Sequence, residues 1–249
     1  MEKVANMVSI ITICYNCKQD FEKTVRSVIA QDYAAKEFIV VDGGSKDGTV
    51  EVISAYSKYI DKYVSEPDDG IYDALNKGVS MATGEWILCL NAGDVFRGDN
   101  VLSTIFLSDI PEDKSFIYSD FELVYDDGSS EIRKCDRKTG DVHHQNAIYR
   151  RILHERCGYY IVTHPYIVSD LLFFLSVPAD QFLKTPQIIS KVKFGGISCQ
   201  LWASEGAWAA KAVYGIETIP GIFFSDMRLR FGLWRQKVKK RLLGCLKRS

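Results

Sequence analysis

The sequence predicts an α/β fold, in which a doubly wound, mostly parallel sheet is flanked by helices. Apolar runs typical of strands alternate with segments of helical periodicity from residue 8 to residue 90, and this alternation indicates parallel β-α-β units. The runs are nearly continuous and rich in β-branched residues, as expected of strands covered on both faces. A chain of 249 residues can bury the core that such a sheet needs.

The first of these units begins with the strand Val8–Cys14. Asn16 interrupts the apolar run, and Phe21, Val25 and Val28 then recur at the spacing of an amphipathic helix. The same alternation continues along the chain. The next predicted elements are a strand over 38–41, a helix over 52–60 with Asp47 as its cap, a strand over 63–64, a helix over 71–82 that Gly84 ends, and a strand over 86–90.

Beyond residue 94 the pattern is less regular. The turn Asp126–Gly128 predicts a hairpin, and no repeat or low-complexity linker is present, so this part is predicted to elaborate the same sheet. The expected elements are helices over 101–107, 150–156, 169–175 and 198–214, strands over 116–118, 122–125 and 131–134, and an edge strand over 188–194.

The seven cysteines are scattered and odd in number, which favours a reducing compartment. Cys14 and Cys17 have the C-x-x-C spacing of some zinc and redox sites, but no second pair lies nearby in the sequence. We therefore expect Cys14 to pack as a small apolar residue. No apolar stretch is long enough for a transmembrane helix.

Polar clusters follow the predicted strands where each strand ends. Open α/β sheets bind ligands at this edge, yet the loops contain neither a Gly-x-Gly-x-x-Gly motif nor a Walker loop. Carboxylates there can hold a base and a ribose while a divalent cation neutralises phosphates, so the edge predicts a nucleoside diphosphate site. The clusters are Thr12 with Tyr15 and Asn16; Asp42 with Gly44, Ser45 and Asp47; Asp68 with Asp69; and Asn91 with Asp94.

The turn Asn91–Asp94 carries the strongest metal candidate. A carboxylate on a tight turn that contains glycine can reach a cation brought in by a phosphorylated ligand. Asp94 could instead cap the next helix, because Asn, Asp and Gly are ordinary loop residues. Both alternatives stay open on the residues alone.

Several segments together resemble family 2 glycosyltransferases with the GT-A fold. Their order and spacing match over about the first 100 residues, and the segment Ser65–Gly78 is similar to a subgroup of bacterial exopolysaccharide, capsule and colanic-acid-type enzymes. The resemblance implies one GT-A domain over 1–226, with a nucleotide-binding half (1–97) and a smaller acceptor-side half (98–226). The matching segments are Val8–Asn16, Phe38–Thr49, Ala82–Trp86 and Asn91–Asp94.

The resemblance also implies roles for individual residues. Asp94 matches the last carboxylate of the family's D-x-D motif and would bind Mn²⁺ or Mg²⁺, with His144 reaching the metal or the diphosphate. His144 is alternatively a loop histidine bonded to backbone. The first motif position is Asn91, so one hard anionic ligand is missing. The residues implied to bind the nucleotide are Thr12, Tyr15, Asn16, Asp42, Gly44, Ser45, Asp69, Lys77 and Asn91.

In the second half, the segments His143–Arg151, Val168–Leu175 and Gly195–Ser198 resemble parts of the same subgroup. This resemblance makes Asp170 the general base, and partial burial would raise its pKa to a useful value. The alternative is a helix cap. If Asp170 were structural, Asp180 and Glu205 would be the next candidates for the base.

Residues 227–249 are predicted to form a basic amphipathic tail. Nine Lys or Arg and no acid lie between Arg228 and Arg248, and basic amphipathic helices bind anionic membrane surfaces. We therefore expect a cytoplasmic protein, peripheral at the inner face of the plasma membrane. A solvated tail that packs a few leucines on the domain is the alternative. Phe223, just before the tail, is expected in the core.

The resemblance favours an inverting transferase that moves a sugar from a nucleotide-diphosphate sugar, with UDP-sugar as the expected donor, to a glycan or lipid-linked acceptor of surface polysaccharide synthesis. No nucleic acid partner is expected. One alternative is a nucleotidyltransferase that makes nucleotide sugars, although the glycine-rich, basic N-terminal loop for a triphosphate is absent. A second is a non-catalytic, glycan-binding scaffold subunit with a decayed metal site, as Asn91 would suggest.

Overall fold

The computed structural model describes residues 6–163, 167–195 and 201–231. The helices are α1 (Lys18–Ile29), α2 (Thr49–Ala55), α3 (Ile71–Met81), α4 (Val101–Phe106), α5 (Ile152–Cys157), α6 (Ser169–Ser176), α7 (Leu201–Val213) and α8 (219–231). The strands are β1 (Val8–Cys14), β2 (Lys36–Asp42), β3 (Lys62–Ser65), β4 (Trp86–Cys89), β5 (Val95–Phe96), β6 (Phe116–Tyr118), β7 (Phe121–Val124), β8 (Ser130–Arg133), β9 (Ala147–Arg150), β10 (Phe182–Lys184) and β11 (Ser190–Lys193).

The described strands form two sheets. The central, seven-stranded sheet has the order β10-β6-β9-β4-β1-β2-β3, and a four-stranded sheet has the order β5-β11-β7-β8. Neighbours in the central sheet are parallel except at β9, which is antiparallel to both β4 and β6. The mostly parallel α/β fold predicted from the sequence is confirmed.

Helices cover both faces of the central sheet. On one face, Phe21 of α1 packs in the same apolar cluster as Ile10 of β1. On the other face, Leu75 of α3 packs with Ile11, the next residue along the same strand. A Cβ atom on Gly78 would overlap the Ile11 side chain, so α3 lies very close to β1. This close approach fixes the start of α3 beside the carboxyl edge of the sheet.

A buried carboxylate joins several elements at the opposite edge. Glu37 of β2 is 3% exposed. It accepts hydrogen bonds from Ser9 Oγ at 2.5 Å and from the backbone N–H groups of Thr83 at 2.6 Å and Gly84 at 3.0 Å, and Lys62 Nζ lies 3.1 Å away. Burial alone would raise the pKa of Glu37, but these donors outweigh burial and lower the pKa to about 2.

We expect Glu37→Ala to lower the free energy of unfolding by about 3 kcal/mol or more, because several donors lose their acceptor. Since the folded pKa is depressed, this stabilisation is fully present above the unfolded pKa of about 4.3 and is lost as the pH falls towards 2. Urea unfolding near neutral pH and in acid measures both effects. Glu51→Ala, at an exposed position of α2, is the control, and equal stability of the two variants would contradict the assignment.

Several short elements differ from the sequence prediction. The strands β5, β9 and β10 were not predicted, and β9 takes the first residue of the helix expected over 150–156. The predicted edge strand over 188–194 is wrong in its position, because β11 lies between β5 and β7. Ser190 pairs with Phe96 of the unpredicted β5, and this partner turns an expected edge into an interior strand.

Candidate active site

A cleft of about 670 Å³ opens beyond the carboxyl end of β4. It lies between the Asn91–Asp94 turn and the start of α6, and α7 forms part of its wall. Four of the predicted site residues line this cleft together: Asn91, Asp94, His144 and Asp170.

Asp170 lies in the first turn of α6, with its side chain 20% exposed. Its Oδ1 atom accepts a hydrogen bond from the Tyr72 hydroxyl at 2.7 Å, and its Oδ2 atom lies 3.0 Å from His144 Nδ1. The backbone N–H of Ser169 donates to the same Tyr72 hydroxyl at 3.0 Å. Tyr72 therefore holds both the carboxylate and the start of α6.

Both ring nitrogens of His144 have partners. Its Nε2 atom lies 2.9 Å from the side-chain amide of Asn91, and its Nδ1 atom lies 3.0 Å from Asp170 Oδ2. In this arrangement no ring nitrogen of His144 is left for a cation, which departs from the predicted metal-binding role.

The expectation that burial would raise the pKa of Asp170 is wrong. Burial acts in that direction, but the hydrogen bond and charge of His144 and the hydrogen bond from Tyr72 outweigh it and lower the pKa to about 2. Asp170 is therefore ionised throughout the physiological range.

Asp94 has the opposite environment. Its side chain is 7% exposed, and burial raises its pKa to about 7, although the charge of His144 and hydrogen bonds from Lys193 and Gln145 lower it. Asp94 comes directly before β5, and Asn100 is the N-cap of the next helix, α4. The capping alternative for Asp94 is thus not what the structure shows.

The residues of this turn fit a divalent cation in part. Asn91 Oδ1 is buried and has no hydrogen-bond partner within the described part of the chain, and the neighbouring Asp94 carboxylate is poorly solvated. Amide and carboxylate oxygens are suitable ligands for Mg²⁺ and Mn²⁺. The described residues contain no cluster of three or more His, Cys, Asp or Glu side chains for a metal, so a cation here would depend on oxygens of the ligand as well.

A second group of predicted residues lies beyond β1 and β2. The Asp42 carboxylate accepts hydrogen bonds from the backbone N–H groups of Gly44 at 3.1 Å and Ser45 at 3.0 Å, from the Ser45 hydroxyl, and from the Ser65 hydroxyl at 2.6 Å. Asp42 is fully buried. It therefore shapes the loop after β2 from inside.

The loops after β1 and β2 are tied together. The backbone N–H of Asn16 donates to Ser45 Oγ at 2.7 Å, and Asn16 Oδ1 accepts from the backbone N–H of Lys46 at 2.8 Å. Asn16 has a φ angle of +47°, which asparagine tolerates better than most residues. These bonds hold Tyr15, which is 64% exposed, at the surface of the edge.

Asp47 does not act as the expected N-cap of α2. Gly48, with a φ angle of +96°, takes that position. Asp47 accepts instead from the backbone N–H groups of Thr49 at 3.0 Å and Lys18 at 3.1 Å. The side chain thus joins the starts of α1 and α2.

Three other predicted residues have structural partners. The Thr12 hydroxyl is buried in the sheet and donates to the carbonyl of Leu90 at 2.7 Å, so its side chain does not reach a ligand in this arrangement. Lys77 Nζ lies 3.0 Å from Glu66 and 3.2 Å from Asp73. Asp69 donates its backbone N–H to Asp73 at 3.1 Å.

The alternative bases lie elsewhere. Asp180 lines a different cleft, of about 780 Å³, together with Asn6 and Glu85, which precede β1 and β4. That cleft is at the amino edge of the sheet, away from the expected ligand edge. Glu205 forms an ion pair with Arg230 at 2.6 Å. Asp170 is the only one of the three candidates in the cleft beyond β4.

Sequence analysis missed the part that Tyr72 plays. Tyr72 lies in the predicted helix over 71–82, where an aromatic side chain is expected to pack in the core. In the sequence, only its hydroxyl group suggests a polar role. Its partner Asp170 is 98 positions away in the chain, so no local pattern could have revealed the pair. Of the predicted Gly195–Ser198 segment, residues 196–198 lie outside the described residues.

Comparisons with known proteins bear on the family of this chain. The family model "Glycosyl transferase family 2" matches residues 9–158. An uncharacterised glycosyltransferase of Mycobacterium tuberculosis is 41% identical over 100 residues, which are 40% of this chain and 38% of the relative. The poly-beta-1,6-N-acetyl-D-glucosamine synthase of Staphylococcus epidermidis is 36% identical over 94 residues, 37% of this chain and 23% of the synthase. The matched part is thus less than half the length of either relative.

Solved structures share the fold. S. aureus TarS 1-349 in complex with UDP-GlcNAc superposes with a TM-score of 0.69 at 16% identity, covering 84% of this chain and 66% of the TarS 1-349 chain. The mannosyltransferase PcManGT of Pyrobaculum calidifontis, in complex with GDP-Man and Mn²⁺, has a TM-score of 0.59 at 17% identity and covers 89% and 64% of the two chains. At these identities the likeness shows the fold alone.

Proposed function

The chain belongs to glycosyl transferase family 2, and from that premise we propose that it transfers a sugar, with inversion, from a nucleotide-diphosphate sugar to a glycan or lipid-linked acceptor in bacterial surface polysaccharide synthesis. The observation that carries this proposal is the ionised Asp170 carboxylate in the same cleft as the Asn91–Asp94 turn. The carboxylate can take a proton there, while the turn would hold a cation that neutralises the leaving diphosphate.

Asp170 acts in this proposal as the general base for the acceptor hydroxyl. Its low pKa keeps it ionised, so it is always able to accept a proton. The acceptor oxygen becomes strongly acidic as its bond to the sugar forms, and a weak base can then receive the proton. The donors Tyr72 and His144 hold the carboxylate in one orientation, and orientation of a catalytic group lowers the barrier.

Asp94 and Asn91 Oδ1 would hold Mn²⁺ or Mg²⁺, which supplies charge neutralisation for the leaving diphosphate. We propose that His144 is a positioning residue for Asp170 rather than a ligand, because both ring nitrogens have partners.

The nucleoside would bind at the loop after β2. Asp42 shapes this loop from the inside, and Asn16 ties it to the loop after β1. The other residues proposed to contact the nucleoside are Gly44, Ser45 and the exposed Tyr15, with Asp69 and Lys77 at the side of the pocket. UDP-sugar is the first donor to test, since S. aureus TarS binds UDP-GlcNAc.

We also propose that the protein works at the anionic inner face of the plasma membrane. The basic segment between Arg228 and Arg248 supports this, although residues 232–249 of the predicted tail lie outside the described residues. Among the helices that the structure describes, none combines the length and the apolar character needed to cross a bilayer.

The contact between Asn91 and His144 argues against the scaffold alternative. Asn91 suggested a decayed metal site, but its side chain contacts His144 at 2.9 Å and so takes part in holding Asp170. A nucleotidyltransferase remains to be separated by experiment, because it would use the same fold and a similar edge of the sheet.

Donor screening tests the proposal. We expect transfer from UDP-GlcNAc, another UDP-sugar or GDP-Man to a glycan or polyprenyl-linked acceptor in the presence of Mn²⁺, with inverted anomeric configuration in the product by NMR. Formation of a nucleotide sugar from a nucleoside triphosphate and a sugar phosphate would support the nucleotidyltransferase instead. No thermal shift with any nucleotide and Mn²⁺ would favour the scaffold.

A further inference from the structure

The last described helix, α8, has an unusual outer face. Ile219 is 79% exposed, Phe223 61%, Phe224 59% and Met227 49%. We call these four residues the apolar face. Phe223 was expected in the core, and that expectation is wrong. Single exposed apolar residues are ordinary, but a contiguous group of this size on one helix marks an interaction surface.

A charged contact also fastens α8 to the body of the protein. The guanidinium of Arg230 lies 2.6 Å from Glu205 of α7, and Arg230 Nε lies 2.7 Å from Asp226, one turn earlier on α8. The helix is therefore held against the body, while the four side chains of the apolar face remain in solvent.

Charge indicates what covers this face. From Arg228 to Arg248 the sequence contains nine Lys or Arg and no acid, and the first of these residues lie on α8 itself. Apolar side chains bordered by a long basic segment match the two parts of an anionic bilayer surface, its acyl boundary and its headgroups. A protein partner would need no such excess of positive charge.

We infer that the apolar face of α8 inserts into the interface of an anionic bilayer. The inference rests on the membrane association proposed above. It adds that the apolar face contributes hydrophobic binding energy to an association that the basic tail alone would make purely electrostatic. Because α7 lines the cleft and leads into α8 within a few residues, insertion would hold the cleft close to the membrane, where a lipid-linked acceptor is found.

The test is sedimentation of the full chain with vesicles of phosphatidylglycerol and phosphatidylcholine, and with phosphatidylcholine alone. We expect Phe223→Ser/Phe224→Ser to weaken binding to the anionic vesicles about tenfold or more, since two aromatic side chains no longer leave water. In about 1 M salt, where charges are screened, wild type should keep part of its binding and the double variant none. Leu107→Ser/Ile132→Ser, at exposed positions of the body, is the matched control and should bind as wild type.

The outcomes separate this inference from the membrane association itself. Wild type and the double variant could bind anionic vesicles equally, with salt abolishing the binding of both. That result would overturn the inference and leave a membrane association that depends only on the charge of the tail. No vesicle binding by wild type would overturn both. Concentration-dependent self-association that the double variant lacks, without vesicle binding, would show that a second copy covers the face. Unchanged nucleotide binding by the variants shows that they are folded.

Discussion

Asp170→Asn is expected to lower turnover by about 10²–10⁴-fold, the usual contribution of a general base. An amide in place of the carboxylate cannot take the acceptor's proton. Its oxygen can still accept one of the two hydrogen bonds that Tyr72 and His144 make at 2.7 and 3.0 Å, and its NH₂ group can donate to the other partner. The fold should therefore survive. Initial rates at saturating donor and acceptor measure the effect.

The matched control for this substitution is Asp180→Asn. Asp180 is another carboxylate that sequence analysis offered as the base, and it lines the cleft at the amino edge of the sheet. We expect near wild-type turnover. If Asp180→Asn lost activity and Asp170→Asn did not, the assignment of the base would be reversed.

Asp94→Asn is expected to remove the stimulation of transfer by Mn²⁺, with a loss of about 10²–10³-fold, as when one electrostatic stabiliser of a leaving group is removed. Asn91 already occupies the first position of the motif, so from the protein this variant would leave only neutral amide oxygens for the cation. Turnover against Mn²⁺ concentration measures the effect. Asp113→Asn, an exposed position elsewhere, is the control.

Full Mn²⁺-stimulated turnover of Asp94→Asn would contradict the assignment, because the cation would then bind elsewhere. Thermal shift with UDP and Mn²⁺ is a second readout, because a cation bound elsewhere would still stabilise the nucleotide complex of the variant.

The central strands could be predicted because their signal is local. Each of β1, β2 and β4 is a continuous buried run, and such runs are visible without any partner. The strands β5, β9 and β10 have only two to four residues, and their pairing depends on neighbours far away in the chain. The position of β11 was wrong for the same reason, since its interior place depends on β5.

In the candidate site, too, local features could be predicted and features that depend on distant residues could not. Asp42, Asn91 and Asp94 could be assigned to one edge because parallel strands end together. The lowered pKa of Asp170 could not be predicted, since it is set by Tyr72 and His144, which lie 98 and 26 positions away in sequence. The burial of Thr12, by contrast, follows from its place within a fully buried strand, and this signal was available in the sequence.

The most direct test of the account compares nucleotide binding and turnover in Asp170→Asn and Asp42→Asn. Asp170 acts on the acceptor, so its variant should bind nucleoside diphosphate with nearly the wild-type dissociation constant while turnover falls about 10²–10⁴-fold. Asp42 organises the loop of Gly44 and Ser45, so its variant should weaken nucleotide binding first. Calorimetric titration with UDP and Mn²⁺ gives the dissociation constants. If Asp170→Asn lost nucleotide binding as severely as Asp42→Asn, Asp170 would belong to the donor site and would not be the base.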